Sequence, residues 1–462
     1  MIGLRTKQFH VSWPQAVVFV AILLFAVGTG YGIGTYGFKA ALALFALGLG
    51  LTVFFKPELG FWASLASIVI GQLVRIQLPN SDNTVIINDV LLPVVILGWV
   101  AWAMARRTWK IPSSSLYLPM SLWVLAMTLS LFFNRAGYST NELLSGALYI
   151  VRWIEYAAVF FMGFTFIRTQ ARARKYIEAL VWTGVITAIL GFVQLKLFPD
   201  FSFMVPKGWD PHIGRLLSTW FDPNFLGGYL AFLTTISLAI ALGKKPVEAR
   251  WWWTAVAIMT AAVVLTFSRS GYIALAVGFG IVTFFRSKSL LFLIVMIFIS
   301  IIFFVPRVQE RVIGIRSIDE TAQLRLVSWQ NAFEVIADHP VTGIGYNLYK
   351  YVQVQYNFLN KTSEHSASGS DSSLLTAWVT TGTVGLIMYL WLLGAMVWEA
   401  WKTWKDKHLP TEWRLYGLGL SAGLIALILH GQFVNGLLYP HIMQATWLAL
   451  AVALTVRKPE TA

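Results

Sequence analysis

This sequence of 462 residues contains no cysteine and few charged residues. Without cysteine, thiolate zinc sites, iron–sulfur clusters and disulfide bonds are all excluded. Only 12% of the residues are charged, whereas 57% are hydrophobic, a balance that soluble proteins of this length do not show. The sequence also lacks a P-loop, a Gly-x-Gly-x-x-Gly turn in a strand–helix context, a His-Glu-x-x-His helix and a paired acidic motif on a loop. Nucleotide chemistry and a tightly bound metal ion are therefore disfavoured, and we expect no cofactor.

The chain instead contains a series of apolar runs, each about as long as the 17–25 residues that span a bilayer. Mean hydropathy over the whole chain is +0.67. The runs predict an all-α integral membrane protein with about fourteen transmembrane helices, in which residues 1–462 form a single multi-pass domain. We expect the spans near residues 14–32, 38–55, 58–77, 87–105, 116–134, 144–166, 176–197, 224–242, 251–267, 271–285, 289–305, 373–397, 414–432 and 440–456. The first run lacks a cleavage site and is expected to remain as a helix.

Lysine and arginine together number 35 against 21 acidic residues, which gives a net charge of +14. The basic residues cluster in alternate loops, for example at residues 106–110, 168–175, 244–250 and 402–414. This is the positive-inside distribution of membrane proteins rather than the basic surface of a nucleic-acid-binding protein. We therefore expect both termini to lie in the cytoplasm and the lipid bilayer, not nucleic acid, to be the partner.

The one long polar segment, residues 306–371, falls on the opposite, extracytoplasmic side. Its ionisable residues include Arg307, Arg311, Arg316, Arg325, His339, Glu364, His365 and Asp371. In a membrane protein, chemistry concentrates where polar residues gather at a membrane face, so this loop is the predicted catalytic segment.

Part of that loop is predicted to be an amphipathic helix. Apolar side chains recur at helical spacing at Leu326, Trp329, Phe333 and Ile336, and the His339-Pro340 pair is a stop signal. The glycines that follow, at positions 343, 345 and 369, are expected to let the loop close over a site.

Three arginines lie on the extracytoplasmic side, where the topology makes cations uncommon. Arg215 precedes an apolar run, Arg269 lies in a short turn between two runs, and Arg325 begins the amphipathic helix. Three guanidinium groups that face one cavity suit a diphosphate, because arginine binds phosphate through two N–H groups and keeps its proton. The alternative is that each arginine anchors a lipid headgroup or pairs with a nearby aspartate.

Two residues of the polar segment are candidate bases. Asp371 begins the helix after the loop, where it fits either a helix N-cap or a base held at the membrane surface. His365 titrates near neutral pH, although a single histidine in a polar loop is commonly only solvated. Elsewhere, Arg152 and Glu155 lie three residues apart in one predicted span. This spacing favours an ion pair between them, with a substrate contact as the alternative.

Four segments between about 205 and 390 together resemble the O-antigen ligase/polymerase superfamily of bacterial membrane glycosyltransferases. RLLSTWFDPNFLGGYL resembles its Arg and Pro-Asn segment, and LTFSRSGYIAL resembles its Ser-Arg turn. RLVSWQNAFEVIADHPVTGIGYNLY resembles its loop helix followed by Gly-x-Gly, and DSSLLTAWVTTGTVGL resembles the helix after the loop. The resemblance is carried by Arg215, Phe221, Pro223, Asn224, Tyr229, Ser268, Arg269, Arg325, Trp329, Pro340, Gly343, Gly345, Asp371, Leu375, Gly382 and Gly385. In the lipopolysaccharide ligases a histidine opens the last motif, and this sequence has Asp371 there.

The resemblance implies an enzyme of the bacterial plasma (inner) membrane. Such an enzyme transfers a glycan from a polyprenyl diphosphate carrier to a hydroxyl of an acceptor glycan, lipid or cell-wall polymer on the extracytoplasmic face. Arg215, Arg269 and Arg325 would bind the diphosphate, Asp371 or His365 would be the base, and no metal ion would be needed. The transfer would invert the anomeric centre.

Three alternatives remain open from the sequence. A polysaccharide polymerase of the same superfamily uses the same kind of donor, and protein hydroxyls are further acceptors. A transporter or flippase of an anionic lipid-linked substrate also needs arginines, although it places them near the bilayer midplane. A non-catalytic assembly partner would tolerate the loss of all these residues.

Overall fold

The computed structural model describes residues 38–77, 84–106, 113–207, 209–304, 306, 308–309, 320–358 and 369–458. The first predicted span, 14–32, lies outside these residues. Outside them as well lie the candidate base His365 and further ionisable residues of the polar segment, among them Arg307, Arg311, Arg316 and Glu364.

The described part of the chain is mainly helical. Its helices are α1 Phe38–Phe55, α2 Pro57–Ile70, α3 Ile87–Arg106, α4 Tyr117–Phe133, α5 Thr140–Phe166, α6 Gln170–Leu197, α7 Pro223–Ala241, α8 Pro246–Thr266, α9 Arg269–Arg286, α10 Lys288–Phe304, α11 Glu320–Asp338, α12 Tyr349–Gln355, α13 Ser373–Lys405, α14 Thr411–His430 and α15 Pro440–Arg457. Within the described ranges, seven helices are long and apolar enough to cross a membrane, namely α3, α5, α6, α7, α8, α13 and α14. An all-α membrane protein is thereby confirmed, and the count of fourteen spans stays a prediction.

The span expected at 58–77 is partly wrong, because α2 ends at Ile70 and a β-hairpin begins soon after. Strands β1 Arg75–Gln77 and β2 Thr84–Ile86 pair antiparallel, with Arg75 opposite Ile86. The helix stops at Gly71, whose φ of 59° an L side chain rarely adopts. A Cβ there would also lie 2.6 Å from the carbonyl oxygen of Thr219. Hydropathy could not show this turn, because a distant segment causes it.

The bundle has two distinct ends. At one end Gln194, late in α6, accepts hydrogen bonds from the backbone N–H groups of Leu217 (2.8 Å) and Ser218 (3.2 Å). At the other end Arg174, early in α6, pairs with Glu412 of α14 at 2.6 Å. We call the first the loop end, because the segment that precedes α7 lies there, and the second the basic end. Twenty residues of helix separate Arg174 from Gln194, about 30 Å, which is close to the thickness of a bilayer core.

Helix α11 confirms the predicted amphipathic helix, and it ends immediately before His339. Its buried face, however, includes only part of the predicted stripe, of which Ile336 is buried. Ala332 and Val335 are fully buried and belong to a small core that also includes Val379 of α13. Leu326 and Phe333 are 44% and 49% exposed. Small Ala332 allows close packing on α13, which leaves the larger apolar side chains on the outer flank, as suits a helix at a membrane interface.

The segment after α11 inserts its backbone into a break in α13. Gly382 interrupts that helix with φ 69° and ψ −176°. The break frees the carbonyl groups of the preceding turn. Val379 then accepts a hydrogen bond from Ile344 N–H at 3.1 Å, and Thr380 accepts one from Gly345 N–H at 3.1 Å. The loop segment and the helix that follows the loop are therefore one structural unit.

Glycine is required on both sides of this insertion. A Cβ on Gly343 would lie 2.5 Å from the backbone nitrogen of Gly382, and both residues have positive φ. A further hydrogen bond, from Thr383 N–H to the carbonyl of Pro340 at 2.9 Å, holds the start of the inserted segment. We expected Gly343 to give the loop freedom to move, and the structure shows that it permits close backbone packing instead.

Candidate functional site

Arg215 lies at the loop end against the last turn of α8. Its Nε donates to the carbonyl of Thr266 at 2.8 Å, and its Nη2 donates to the carbonyl of Phe267 at 3.4 Å. The carbonyls of a last helical turn have no partner within the helix and carry partial negative charge, so a guanidinium stabilises this position. These contacts orient the side chain through neutral groups.

Asn224 joins this arginine to the start of α9. Its Oδ1 accepts hydrogen bonds from Arg215 Nη2 at 3.3 Å and from Ser268 Oγ at 2.9 Å. Ser268 is the N-cap of α9 and also accepts the N–H of Gly271 at 3.3 Å. The structure thus brings together residues from two separate sequence motifs. We call Arg215, Asn224 and Ser268 the Asn224 junction.

Two helices begin side by side at this junction. A Cβ on Gly227 of α7 would lie 3.6 Å from the Cα of Gly271 of α9, so the first turns of the two helices are in close contact. Arg269, the first residue of α9, is half-buried and follows Ser268 directly. A helix N-terminus carries partial positive charge and exposes N–H groups, so two adjacent N-termini flanked by arginines favour an anion.

His430, at the end of α14, contacts the same place and was missed from the sequence. Its Nε2 lies 3.0 Å from the carbonyl oxygen of Asn224. Because a carbonyl only accepts, Nε2 carries the proton and Nδ1 is left as an acceptor. Nδ1 has no hydrogen-bond partner within the described part of the chain, and the side chain is fully buried. A histidine-glycine pair at the end of an apolar run was the only signal, and we found no motif around it.

Gly228 explains how the ring fits there. A Cβ at that position would lie 2.6 Å from Cε1 of His430. The ring therefore packs flat on the first turns of α7. The simplest role for His430 is to fix α14 to α7.

Arg325 approaches the junction from the polar loop. It lies one helical turn before Trp329 on α11, whose ring is 6.2 Å from that of Phe433 in the turn after α14. Arg325 is half-buried, and its charge acts on His430. The sequence placed Arg325 on a distant loop, and the packing of α11 brings it to the end of α14.

Asp371 lies beside the same turn. Its neighbour Ser373 donates its backbone N–H to the carbonyl of Gly431 at 2.6 Å. The N-cap of α13 is Ser372, whose Oγ accepts the N–H of Leu375 at 3.3 Å, so the capping role considered for Asp371 is wrong. Asp371 is half-buried and has φ 53°, a conformation that aspartate tolerates better than most residues.

Two titratable groups near Arg215 are shifted by burial. Burial, with the charge of Arg215 as the second cause, lowers the pKa of His212 to about 3. Burial also raises the pKa of Asp222 above its usual range, although two backbone N–H groups and Arg215 act in the opposite direction. Asp222 caps α7 by accepting the N–H groups of Asn224 at 2.7 Å and Phe225 at 3.0 Å. His212 is therefore neutral at physiological pH, and Asp222 is a structural cap.

The ion pair predicted between Arg152 and Glu155 is wrong. Arg152 pairs with Asp89 of α3, through Nη2 at 2.5 Å and Nε at 3.0 Å. Asp89 also accepts the N–H of Ile86 at 2.9 Å, so it fastens the hairpin, α3 and α5 together. An i, i+3 spacing permits a pair on one helix, but a better placed carboxylate on a neighbouring helix takes the arginine. No group of three metal-ligating side chains occurs among the residues that the structure describes.

Residues 254–390 match a family model described as O-antigen ligase. The resemblance to that superfamily is thereby confirmed for a segment that contains Ser268, Arg269, Arg325 and Asp371. It supports an enzyme of the membrane glycan ligase or polymerase type that acts on lipid-linked glycans, in a multi-pass bacterial membrane protein. No curated protein matches the chain. Arg215, Asn224 and His430 lie outside the matched segment, and Arg215 and Asn224 contact it.

Proposed function

We propose that this protein transfers a glycan from a polyprenyl diphosphate carrier to an acceptor hydroxyl at the extracytoplasmic face of the bacterial plasma membrane. The loop end is that face, because the basic clusters of the sequence lie at the other end. The acceptor is a glycan, a lipid or a cell-wall polymer. The 306–371 loop is the catalytic loop of a single membrane domain.

The donor diphosphate binds at the Asn224 junction. Arg215 and Arg269 contact its phosphate oxygens, and Arg325 adds a third guanidinium from α11. The observation that carries the proposal is the junction itself, in which one asparagine connects an arginine to the cap of a neighbouring helix. Two helix N-termini and two arginines then favour the charge that develops on the leaving diphosphate.

Asp371 is the base in this scheme, with His365 as the other candidate. The acceptor oxygen attacks the anomeric carbon while the bond from that carbon to the diphosphate oxygen breaks. The proton of the acceptor hydroxyl passes to the Asp371 carboxylate, and polyprenyl diphosphate leaves with the bonding electron pair. A single displacement of this kind inverts the anomeric centre. Arginine supplies the positive charge, so no metal ion takes part.

The polymerase alternative differs only in the acceptor, which would itself be a lipid-linked glycan. The transporter alternative differs in where charge is needed. Arg215 and Arg269 lie at helix ends, next to the last turn of α8 and the first turn of α9. A transporter site near the bilayer midplane is not supported by this placement.

The test is transfer by purified protein supplied with a polyprenyl-diphosphate-linked oligosaccharide, with and without candidate acceptors. We expect free polyprenyl diphosphate and a glycosylated product, both lost in Arg269→Ala. The identity of the product separates ligase from polymerase. An intact donor that crosses a liposome bilayer would instead establish the transporter.

A further inference from the structure

A polar cavity of about 420 Å³ opens at the basic end of the bundle. It lies where the α1–α2 junction, the end of α3 and the α5–α6 junction meet. Its charged lining comprises four cations, Lys56, Arg106, Arg168 and Arg172, and one carboxylate, Glu58, so its formal net charge is +3. A cavity with this excess of positive charge favours an anion.

The cations of this cavity are held in different ways. Arg172 forms an ion pair with Glu58, which Tyr176 also contacts through its hydroxyl at 3.3 Å. Arg168 donates from Nε to the carbonyl of Thr165 at 3.0 Å. The Arg106 guanidinium lies 5.0 Å from the centre of the Trp102 ring. Arg172 and Glu58 therefore line the cavity as an ion pair, and the contacts given for Arg168 and Arg106 are with neutral groups.

The rim of the cavity is apolar. Phe55 lines the cavity and is 72% exposed. Leu59 follows the lining residue Glu58 in the chain, Met104 lies between Trp102 and Arg106, and these two side chains are 51% and 64% exposed. These side chains belong to α1, α2 and α3, whose outer faces are hydrophobic. A ligand that fits both features has an anionic headgroup next to hydrocarbon chains.

We propose that this cavity binds the headgroup of an anionic glycerophospholipid. The phosphate occupies the space between Lys56, Arg106 and Arg168, and the acyl chains lie against Phe55 and its exposed apolar neighbours. Basic recesses between membrane helices bind such headgroups through the same chemistry. A soluble phosphate ester would use the charges but would gain nothing from the apolar rim.

The site is distinct from the Asn224 junction. Arg172 lines the cavity, and Gln194 contacts the segment next to Arg215 from the same helix, α6. These two residues are 22 positions apart, about 33 Å along a helix axis. The lipid site therefore does not depend on the proposed glycan transfer.

The test is binding of fluorescently labelled phosphatidylglycerol to the purified full chain in a neutral detergent. Unlabelled phosphatidylglycerol, phosphatidylcholine and glycerol 1-phosphate are the competitors. The variant Arg106→Gln/Arg168→Gln removes two cavity cations. Lys175→Gln/Arg250→Gln is the matched control, because it removes two exposed cations of the basic end that do not line the cavity.

We expect the cavity variant to bind phosphatidylglycerol roughly thirtyfold more weakly, at about 1 kcal/mol for each cation removed, and the control to stay within about twofold of wild type. If the cavity variant elutes as aggregate, Lys56→Gln/Arg106→Gln replaces it, since both side chains are exposed. Equal competition by phosphatidylcholine, or equal losses in cavity and control variants, would overturn the proposal. Displacement by glycerol 1-phosphate as effective as that by the lipid would show a soluble anion site instead.

Discussion

Two cation-binding sites, one at each end of the bundle, use different chemical groups. At the basic end, the Glu399 carboxylate is 1% exposed and accepts from Lys402 at 2.7 Å, from Arg457 and from the backbone N–H of Ser115 at 3.0 Å. At the loop end, Arg215 donates to two backbone carbonyls and an asparagine. A carboxylate carries a compensating charge, whereas a carbonyl or an amide is a neutral partner that orients the guanidinium.

The difference separates structural cations from those suited to a substrate. Arg152 shows that the partner group, and not the end of the bundle, makes this difference. Arg152 interacts electrostatically with Tyr439 at the loop end, yet it pairs with the Asp89 carboxylate. Buried pairs of this kind hold helices in register, and removing one partner leaves a charge uncompensated. We propose that the Asn224 junction instead supplies positive charge for an anion. The predictions below test whether stability and turnover divide along this line.

The largest effect is expected for Asp371→Asn. As the proposed base it should lower turnover roughly 10³-fold, because general base catalysis is lost, while the melting temperature stays at the wild-type value. Transfer kinetics and a thermal melt of the same preparation measure the two quantities. Full activity in this variant would move the base to His365.

Glu399→Gln should lower the stability of the protein and leave its turnover unchanged. Removing the carboxylate leaves Lys402 and Arg457 without their shared counter-charge and should lower the free energy of unfolding by about 3 kcal/mol. Turnover per folded molecule should not change, since Glu399 lies at the basic end. A large loss of turnover with an unchanged melting curve would break the comparison between the two ends.

Arg215→Lys should lower kcat/KM by about 10²-fold, although the charge is kept, because lysine cannot contact two phosphate oxygens and the α8 carbonyls in one planar arrangement. Arg269→Lys is expected to behave alike. Arg457→Lys is the matched control at the basic end, and we expect it to change stability only. Wild-type kinetics in both loop-end variants would count against a diphosphate site there.

Ser268→Ala should have a smaller effect. It removes the N-cap of α9, worth about 1 kcal/mol of stability, and the bond that positions Asn224, with about a tenfold loss of turnover. Ser139 caps α5 in the same way through the N–H of Glu142. Ser139→Ala should therefore cost similar stability and leave turnover unchanged. Equal kinetics in the two variants would reduce Ser268 to a helix cap.

Chelation with EDTA should have no effect on transfer, because the arginines supply the positive charge at the diphosphate. Transfer rates before and after dialysis against EDTA test this. A strict requirement for a divalent cation, restored by adding that cation back, would replace the arginine mechanism.

Much of the fold follows from local physics. Apolar length located most of the described helices but not all of their ends, since α2 ends seven residues before its predicted span does and α13 continues eight residues beyond its span. The period of the loop segment predicted α11, and the His339-Pro340 pair predicted its end. The position of a helix cap within one turn was harder to predict. Asp371 and Ser372 both favour a cap, and only the structure shows that Ser372 accepts the Leu375 N–H. Equal propensities at adjacent positions left the identity of the cap open in the sequence.

Contacts between residues far apart in the chain could not be predicted from the sequence. Asp89 and Arg152 are 63 residues apart, and His430 contacts Asn224 across 206 residues. Each single motif indicated candidate functional residues, yet neither spacing nor hydropathy could show which motifs meet. From the sequence, Arg215 and Ser268 could be related only through the family resemblance, in which their segments are two of four that occur in order.

The insertion of residues 340–345 into the break of α13 has a consequence for how this protein can be re-engineered. The contacts are between main chains, so they depend on residue count and on glycine rather than on side-chain identity. Loop helices from proteins that match the same family model should therefore be exchangeable when the stretch from Pro340 to Gly345 keeps its length. A single insertion or deletion there should slip the register and displace Asp371, so acceptor preference should be altered by recoding side chains rather than by resizing the loop.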